Sequence, residues 1–197
     1  MAADGRTTSY ARRLAHLSGT LVPGAYLVEL LPWPTIRLVL AGGAAAAVVL
    51  EFLRLQAGLE WTVYDRLTRE YERENPAGYA LAVVSSALVG WTFEPRVAVP
   101  ALLLLTVADP VAGILSSVGD PDTRKSWWVM AATFGLCLAL TVPFLPVRVA
   151  VPVAVVVVAA DALKPRVFGF VIDDNFSIPV GAGVTGWVVL QFVPPLV

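Results

Sequence analysis

The sequence predicts an all-α fold, a polytopic integral membrane bundle of about seven transmembrane helices that forms one domain over residues 1–197. Two properties of the composition indicate this class. Hydrophobic residues make up 57% of the chain, and the mean hydropathy is +0.74. Charged residues make up 15%, whereas an average soluble domain has about 25%. The net charge of −1 gives no indication of a nucleic-acid partner.

Apolar runs near the length that a bilayer-spanning helix needs, about 20 residues, recur along the chain. Pro23 and Gly24 interrupt the first run, and the third and sixth runs are short. The basic N-terminal region resembles that of a signal peptide, but no small-residue cleavage site follows it, so we expect the first span to be retained. The predicted spans are 15–33, 35–55, 77–94, 96–118, 127–145, 147–163 and 178–197.

Basic residues are distributed unequally between the two sets of connections. Since cytoplasmic connections carry the excess of Lys and Arg, we predict a cytoplasmic N-terminus in a cell-membrane protein. The cytoplasmic set is Arg6, Arg12, Arg13, Arg54, Arg66, Arg69, Arg73, Arg124, Lys125, Lys164 and Arg166. The opposite set is Arg37, Arg96 and Arg148.

The candidate functional residues lie on this predicted cytoplasmic face. Arg13 and His16 stand at helical spacing at the start of the first span. The connection after the second span, over about 61–74, alternates aromatic and charged residues and predicts a helix on the membrane surface, ending at Arg73 and Glu74. Glu51 and Arg54, three residues apart, are interpreted as a local helix pair, and Asp161 as an interfacial residue.

Asp109 is the strongest single candidate for a functional residue, because it follows an apolar run and precedes Pro110. A proline there should break or kink the helix. A broken helix can line a polar cavity at membrane depth, where an aspartate could bind a metal ion or accept a proton.

Asp173-Asp174-Asn175 lies directly before the last apolar span. Ionisable groups at such a boundary are costly and indicate a site, and clustered oxygen ligands suit Mg²⁺ and the phosphates that it carries. The alternative is a solvated turn that caps the last helix, since Asp and Asn are good N-caps. Carboxylates for Mg²⁺ together with Arg124 and Lys125 for phosphates are what phosphoryl transfer to a membrane lipid requires.

Short polar segments follow one another in a recognisable order. They are Arg13 with His16, Glu51-Phe52-Leu53-Arg54, Arg73-Glu74 with Gly78, Asp109-Pro110-Val111-Ala112, Arg124-Lys125-Ser126, and Asp173-Asp174-Asn175 with Pro179. Together they resemble the motifs of the polyprenol kinase family, which includes dolichol kinase, phytol and farnesol kinases and the CTP-dependent diacylglycerol kinases.

The resemblance implies a lipid kinase that transfers phosphate from CTP, with Mg²⁺, to the hydroxyl of a long isoprenoid alcohol at the cytoplasmic face. It implies catalytic and metal-binding roles for Asp109, Asp173 and Asp174. The residues expected to bind the nucleotide are Arg73, Arg124, Lys125, Ser126 and Asn175. Arg13, His16 and Glu74 are expected to assist.

Three other functions were weighed. A phosphatidate cytidylyltransferase-like enzyme also joins CTP to a lipid, but its usual Asp-Arg-x-Asp segment does not occur in the sequence. A non-catalytic family member is favoured by Trp127 and Trp128, which stand where the family has a Gly-Ser pair. A retinal-type receptor is excluded because the last span has no lysine for a Schiff base.

Overall fold

A long central helix with an internal irregularity runs through the middle of the bundle, and the other helices pack around it. The computed structural model describes residues 14, 16–57, 72, 75–116, 126–163, 166–167, 170–171 and 173–192. The predicted surface helix over 61–74 lies outside this part of the chain, apart from Glu72. The helices are α1 (Leu21–Leu27), α2 (Trp33–Ala57), α3 (Gly78–Thr92), α4 (Pro95–Leu103), a π-helical segment (Leu104–Ala108), α5 (Asp109–Ser116), α6 (Trp127–Thr141), α7 (Val147–Ala162) and α8 (Asp174–Phe192).

The all-α prediction is confirmed for the described residues. Apart from the helices, they form two strands of two residues each, β1 (Arg166–Val167) and β2 (Phe170–Val171). These strands pair antiparallel in a small hairpin between α7 and α8. The hairpin reverses the chain, so the end of α7 and the start of α8 come to the same end of the bundle.

α2 and α3 form an antiparallel pair. Hydrogen bonds join the two helices at the end that lies away from the candidate site residues. Nε of Arg37 donates to the carbonyl of Gly90 at 2.9 Å, and Nε1 of Trp91 donates to the carbonyl of Arg37 at 3.0 Å. The guanidinium of Arg37 also lies 5.8 Å from the centre of the Trp91 ring, within the range of a cation–π contact.

α8 packs most extensively on α7 and on α3. Small residues on α8 allow this approach. A Cβ added at Gly183 would lie 2.6 Å from Cε2 of Phe93, and one added at Gly181 would lie 3.0 Å from Cγ1 of Val156. Close packing at glycine is typical of helix contacts in membrane proteins.

The central helix of α4, the π segment and α5 does not break at Pro110. Pro110 is instead the second residue of α5, and the irregularity lies just before it in Leu104–Ala108. The backbone N–H of Asp109 donates to the carbonyl of Leu104, five residues earlier. Proline cannot donate to the carbonyl four residues before it and its ring would collide with that group, so the widened turn lets the helix continue.

Two of the described helices are long and apolar enough to cross a membrane. They are Trp33–Gln56 and Pro95–Ser116, and each has a mean hydropathy of 2.0 over its best window. Gly78–Thr92 and Trp127–Thr141 are shorter apolar helices. The central helix is largely buried in the bundle, whereas the apolar side chains of α2 are mostly exposed.

Candidate functional site

Three carboxylates from three helices meet at one end of the bundle. One carboxylate oxygen each of Asp109, Asp161 and Asp174 lies within 4.8 Å of the other two. Asp161 and Asp174 are each 6% exposed. We call Asp109, Asp161 and Asp174 the aspartate cluster. Like charges at this separation repel strongly in a poorly solvated place, so a cation among them would lower the energy of the site.

The fold explains why these residues meet. Asp109 is the first residue of α5 and follows the π segment, which sets its direction around the central helix. Asp161 lies in the last turn of α7, and Asp174 is the first residue of α8. The hairpin between α7 and α8 therefore places Asp161 beside Asp174. A carboxylate at the start of α8 also interacts favourably with the helix dipole.

Asp173 and Asp174 have different surroundings although they are neighbours in the chain. Oδ1 of Asp173 accepts the backbone N–H of Asn175 at 2.9 Å and also the side-chain amide of Asn175. These bonds are those of a helix N-cap. The alternative interpretation of the sequence expected such a cap in a solvated turn, but the turn is buried, since Asp173 is 5% exposed. Asp174 also accepts the backbone N–H of Asn175, at 3.1 Å, and in addition contributes an oxygen to the aspartate cluster.

Asn175 is 4% exposed and joins the start of α8 to α3. Its backbone carbonyl accepts the hydroxyl of Ser85 at 2.8 Å. A Cβ added at Gly78 would lie 2.6 Å from Nδ2 of Asn175, so this amide needs a glycine beside it. Its Oδ1 has no hydrogen-bond partner among the described residues. A buried acceptor without a partner is costly and is available to a ligand.

His16 stands against the aspartate cluster. Its Nδ1 lies 3.5 Å from Oδ2 of Asp109, and the two side chains are 11% and 19% exposed. Its other ring nitrogen, Nε2, is buried without a partner among the described residues. The structure therefore places His16, which is expected to assist, in direct contact with Asp109.

A cavity of about 330 Å³ begins at His16 and extends between the first helices and the central helix. Its walls are mainly apolar and include Leu40, Val83, Leu102 and Leu105. This volume falls at the lower end of the range of about 300–1,000 Å³ that is usual for small-molecule sites. The aspartate cluster thus has an apolar space beside it.

Glu51 and Arg54 form more than a local helix pair. Nε and Nη2 of Arg54 donate to the two carboxylate oxygens of Glu51 at 3.0 and 2.7 Å. Glu51 also accepts the backbone N–H of Ala77 at 3.0 Å and the hydroxyl of Tyr79 at 2.5 Å. Arg54 donates further to the carbonyl of Glu72 at 3.0 Å. The pair therefore fastens the end of α2 to the start of α3.

Several predicted site residues lie outside the described part of the chain: Arg13, Arg73, Glu74, Arg124 and Lys125. Their proposed roles stay predictions. Ser126 is described; it is exposed, precedes α6 and makes no side-chain hydrogen bond to the start of that helix.

Asp161 is the residue that the sequence interpretation missed. The sequence predicts an interfacial residue here, because Asp161 lies near the cytoplasmic end of the predicted sixth span. In the structure it is buried, and its carboxylate belongs to the aspartate cluster. The available signal was the rarity of carboxylates in apolar helices, which indicates function wherever one occurs.

The donor set suits a hard divalent cation. Three carboxylates from separate elements, with the amide oxygen of Asn175 next to one of them in sequence, are all oxygen ligands, which Mg²⁺ prefers over nitrogen or sulfur. Comparisons with protein-family models, with curated proteins and with solved structures return no match to this chain, so the functional assignment depends on the geometry of the described residues.

Proposed function

We propose that this protein is a membrane-embedded lipid kinase that transfers phosphate from CTP to the hydroxyl of a long-chain isoprenoid alcohol. The observation that carries the proposal is the aspartate cluster of Asp109, Asp161 and Asp174 beside an apolar cavity. A cluster of oxygen ligands suits the phosphate chemistry, and an apolar space beside it suits a lipid acceptor. The order of the polyprenol-kinase-like segments in the sequence supports the same activity.

The membrane location that we propose, with seven crossings and a cytoplasmic N-terminus, has support from the surface of the bundle. Large apolar side chains are more than half exposed on helices all around it, for example Leu38, Phe52, Trp91, Val155 and Phe192. Soluble monomers rarely expose apolar surface on this scale. The ends of the helices that carry Glu51, Asp161 and Asp174 would then face the cytoplasm.

The residues present fit Mg²⁺, which Asp109, Asp161 and Asp174 would bind. When bound, the ion would neutralise charge on the phosphates of the nucleotide. Asn175 would offer its unpaired side-chain oxygen to the same region. Arg73, Arg124, Lys125 and Ser126 are proposed as the groups that bind the nucleotide. Asp173 supports the site by capping α8.

The deciding experiment offers the purified protein Mg²⁺, a short polyprenol and γ-labelled CTP, ATP or GTP in parallel. The proposal predicts label in the lipid with CTP and little with the other donors. Omission of Mg²⁺ should abolish the transfer. Absence of label with every donor, from protein shown to be folded, would contradict the proposal. An assay with α-labelled CTP would then test for CDP-lipid synthesis, and failure there would favour a non-catalytic role.

A further inference from the structure

The side chains of Glu51 and Arg54 are not members of the aspartate cluster, but α3 and α8 connect them to it. We propose that Glu51 and Arg54 are positioning residues of the Mg²⁺ site: they hold the start of α3 against the start of α8, and so fix the place of Asp174. The inference rests on the proposed function for the metal ion. It gives two residues outside the cluster a role in the affinity of the cluster for that ion.

The carboxylate of Glu51 fixes the first turn of α3. Glu51 is 7% exposed and accepts four hydrogen bonds from the described residues. Nε and Nη2 of Arg54 donate two of them. The backbone N–H of Ala77, at 3.0 Å, and the hydroxyl of Tyr79 donate the other two. Ala77 directly precedes α3 and Tyr79 lies in its first turn, so a side chain of α2 determines where α3 begins.

Arg54 extends this network to the segment that leads into α3. Its Nη1 donates to the carbonyl of Glu72 at 3.0 Å, and its Nη2 donates to the carbonyl of Asn75 at 2.7 Å. A guanidinium presents several donors in one rigid plane, so Arg54 can bind both carbonyls and the carboxylate of Glu51 together. The ammonium group of a lysine is a compact charge on a flexible stem, and it would not hold all three.

The first turn of α3 lies against the first turn of α8. A Cβ added at Gly78, the first residue of α3, would lie 2.6 Å from Nδ2 of Asn175. The backbone carbonyl of Asn175 also accepts the hydroxyl of Ser85 on α3 at 2.8 Å. Gly78 directly follows the residue whose N–H is bound by Glu51, so a shift of this turn would also displace Asn175.

Asn175 connects this contact to a proposed metal ligand. It directly follows Asp174, and its backbone N–H donates to the carboxylates of Asp173 and Asp174 at 2.9 and 3.1 Å. The oxygen that Asp174 contributes to the cluster lies within 4.8 Å of those of Asp109 and Asp161. Mg²⁺ demands near-ideal octahedral geometry with short distances to its ligands. A small displacement of Asp174 should therefore weaken its binding.

The test measures metal binding, so it does not depend on catalysis. Full-length protein in detergent is titrated with Mn²⁺, which prefers the same oxygen ligands as Mg²⁺, and EPR spectroscopy measures the free ion. Glu51→Gln turns an acceptor oxygen into a donor that faces other donors, and Arg54→Lys removes the planar group. Each variant should raise the Kd for Mn²⁺ about tenfold or more, the usual effect of losing a group that orients a metal ligand.

Arg37→Gln is the control that separates positioning from general stability. Arg37 is also on α2 and donates to a carbonyl of α3, that of Gly90, at 2.9 Å, but at the opposite end of the two helices. This variant should lower the thermal stability and leave the Kd for Mn²⁺ unchanged. Thermal unfolding in detergent shows which variants are folded. If Glu51→Gln does not fold, Arg54→Lys, which keeps the charge, gives the same test.

A second set of variants tests the contact between α3 and α8. In Gly78→Ala the new methyl group would displace the amide of Asn175, so the Kd for Mn²⁺ should rise. In Asn175→Ala this amide is absent, and the further change Gly78→Ala should have no additional effect. Gly42→Ala is the matched control, because a Cβ at Gly42, on α2, meets no heavy atom within 4 Å.

The outcomes separate this inference from the proposed function. An unchanged Kd for Mn²⁺ in Arg54→Lys and Gly78→Ala, or a Kd that rises equally in Arg37→Gln, would overturn the positioning role even if the kinase assay succeeds. If the unmodified protein binds no Mn²⁺, the positioning role fails whatever the kinase assay shows. The expected Kd values in a protein that transfers no phosphate would support the positioning role and remove the proposed activity.

Discussion

At the scale of single residues, neighbouring carboxylates in this chain make different contacts. Asp173 accepts hydrogen bonds from the backbone and side chain of Asn175 and caps α8. Asp174, the first residue of α8, also accepts the backbone N–H of Asn175, at 3.1 Å, and contributes an oxygen to the aspartate cluster. A sequence pattern of two adjacent aspartates shows that oxygen ligands are present, but it does not show which of them faces the other helices. That distinction depends on the direction in which α8 leaves the hairpin.

We predict that Asp161→Asn lowers the rate of phosphate transfer at least about a hundredfold, because the variant lacks one anionic ligand of the proposed Mg²⁺ site. Asp174→Asn should have a similar effect. Asp173→Asn should retain most activity, because the amide keeps an oxygen that can accept the bonds from Asn175. Initial rates over a range of Mg²⁺ concentrations measure the effect.

Glu94→Gln is the control for these changes, since Glu94 is an exposed carboxylate whose side chain is 73% accessible and pairs with Arg96. This variant should behave like the unmodified protein. Full activity in Asp161→Asn would remove Asp161 from the mechanism, and a loss in Asp173→Asn as large as in Asp174→Asn would show that both neighbours act in the chemistry.

At the scale of the elements, several helices follow from the sequence, but contacts between helices do not. Within the predicted first span, 15–33, the structure has a helix of only seven residues, Leu21–Leu27, with turns on either side. The apolar runs from Trp33 to Ala57 and from Val147 to Ala162 follow directly from composition. The meeting of Asp161 with Asp109 joins positions more than fifty residues apart in the sequence, and no local pattern encodes such a contact. The position of the irregularity was also missed, because Pro110 indicates a disturbed helix without showing that the preceding turn absorbs it.

We predict that Gly183→Ala destabilises the protein by about 1–3 kcal/mol, the usual cost of overfilling a packed interface. The new methyl group would lie 2.6 Å from the ring of Phe93, and an aromatic ring held between helices cannot easily move away. Thermal unfolding in detergent measures the change.

Gly135→Ala is the matched control within a helix. A Cβ at Gly135 meets no heavy atom within 4 Å, and alanine is a better helix former than glycine by about 1 kcal/mol. This variant should be as stable as the unmodified protein or more so. Equal unfolding temperatures for the two variants would show that α8 does not pack on Phe93 in this way.

At the scale of the whole molecule, the apolar surface and the distribution of basic residues along the sequence support the orientation that we propose. The exposed side chains of α2 and α3 are mainly apolar along their length. Basic residues concentrate in the connections that the seven-span prediction assigns to one side. The orientation that we propose places that side in the cytoplasm, as the positive-inside rule expects. The same end contains the aspartate cluster, so the nucleotide would reach it from the cytoplasm.

The orientation predicts which engineered cysteines a membrane-impermeant maleimide reaches in intact cells. In a Cys137→Ala background, Glu94→Cys should react from outside, because Glu94 lies between α3 and α4 on the side assigned to the exterior. Pro76→Cys, an exposed position just before α3, should react only after the membrane is opened. The reverse pattern would invert the topology, and reaction of both in intact cells would contradict a membrane crossing by α3.

The number of residues in the π-helical segment, Leu104–Ala108, determines the side of the central helix on which Asp109 lies. Each residue of an α-helix turns the chain by about 100°, so the additional residue in this segment rotates everything after it by that angle. If one residue were deleted here, the helix would become regular and Asp109 would keep its chemistry but face another neighbour. A related chain without this extra residue could preserve every polar segment in sequence and still lack the cluster, whereas an insertion at this point could create one.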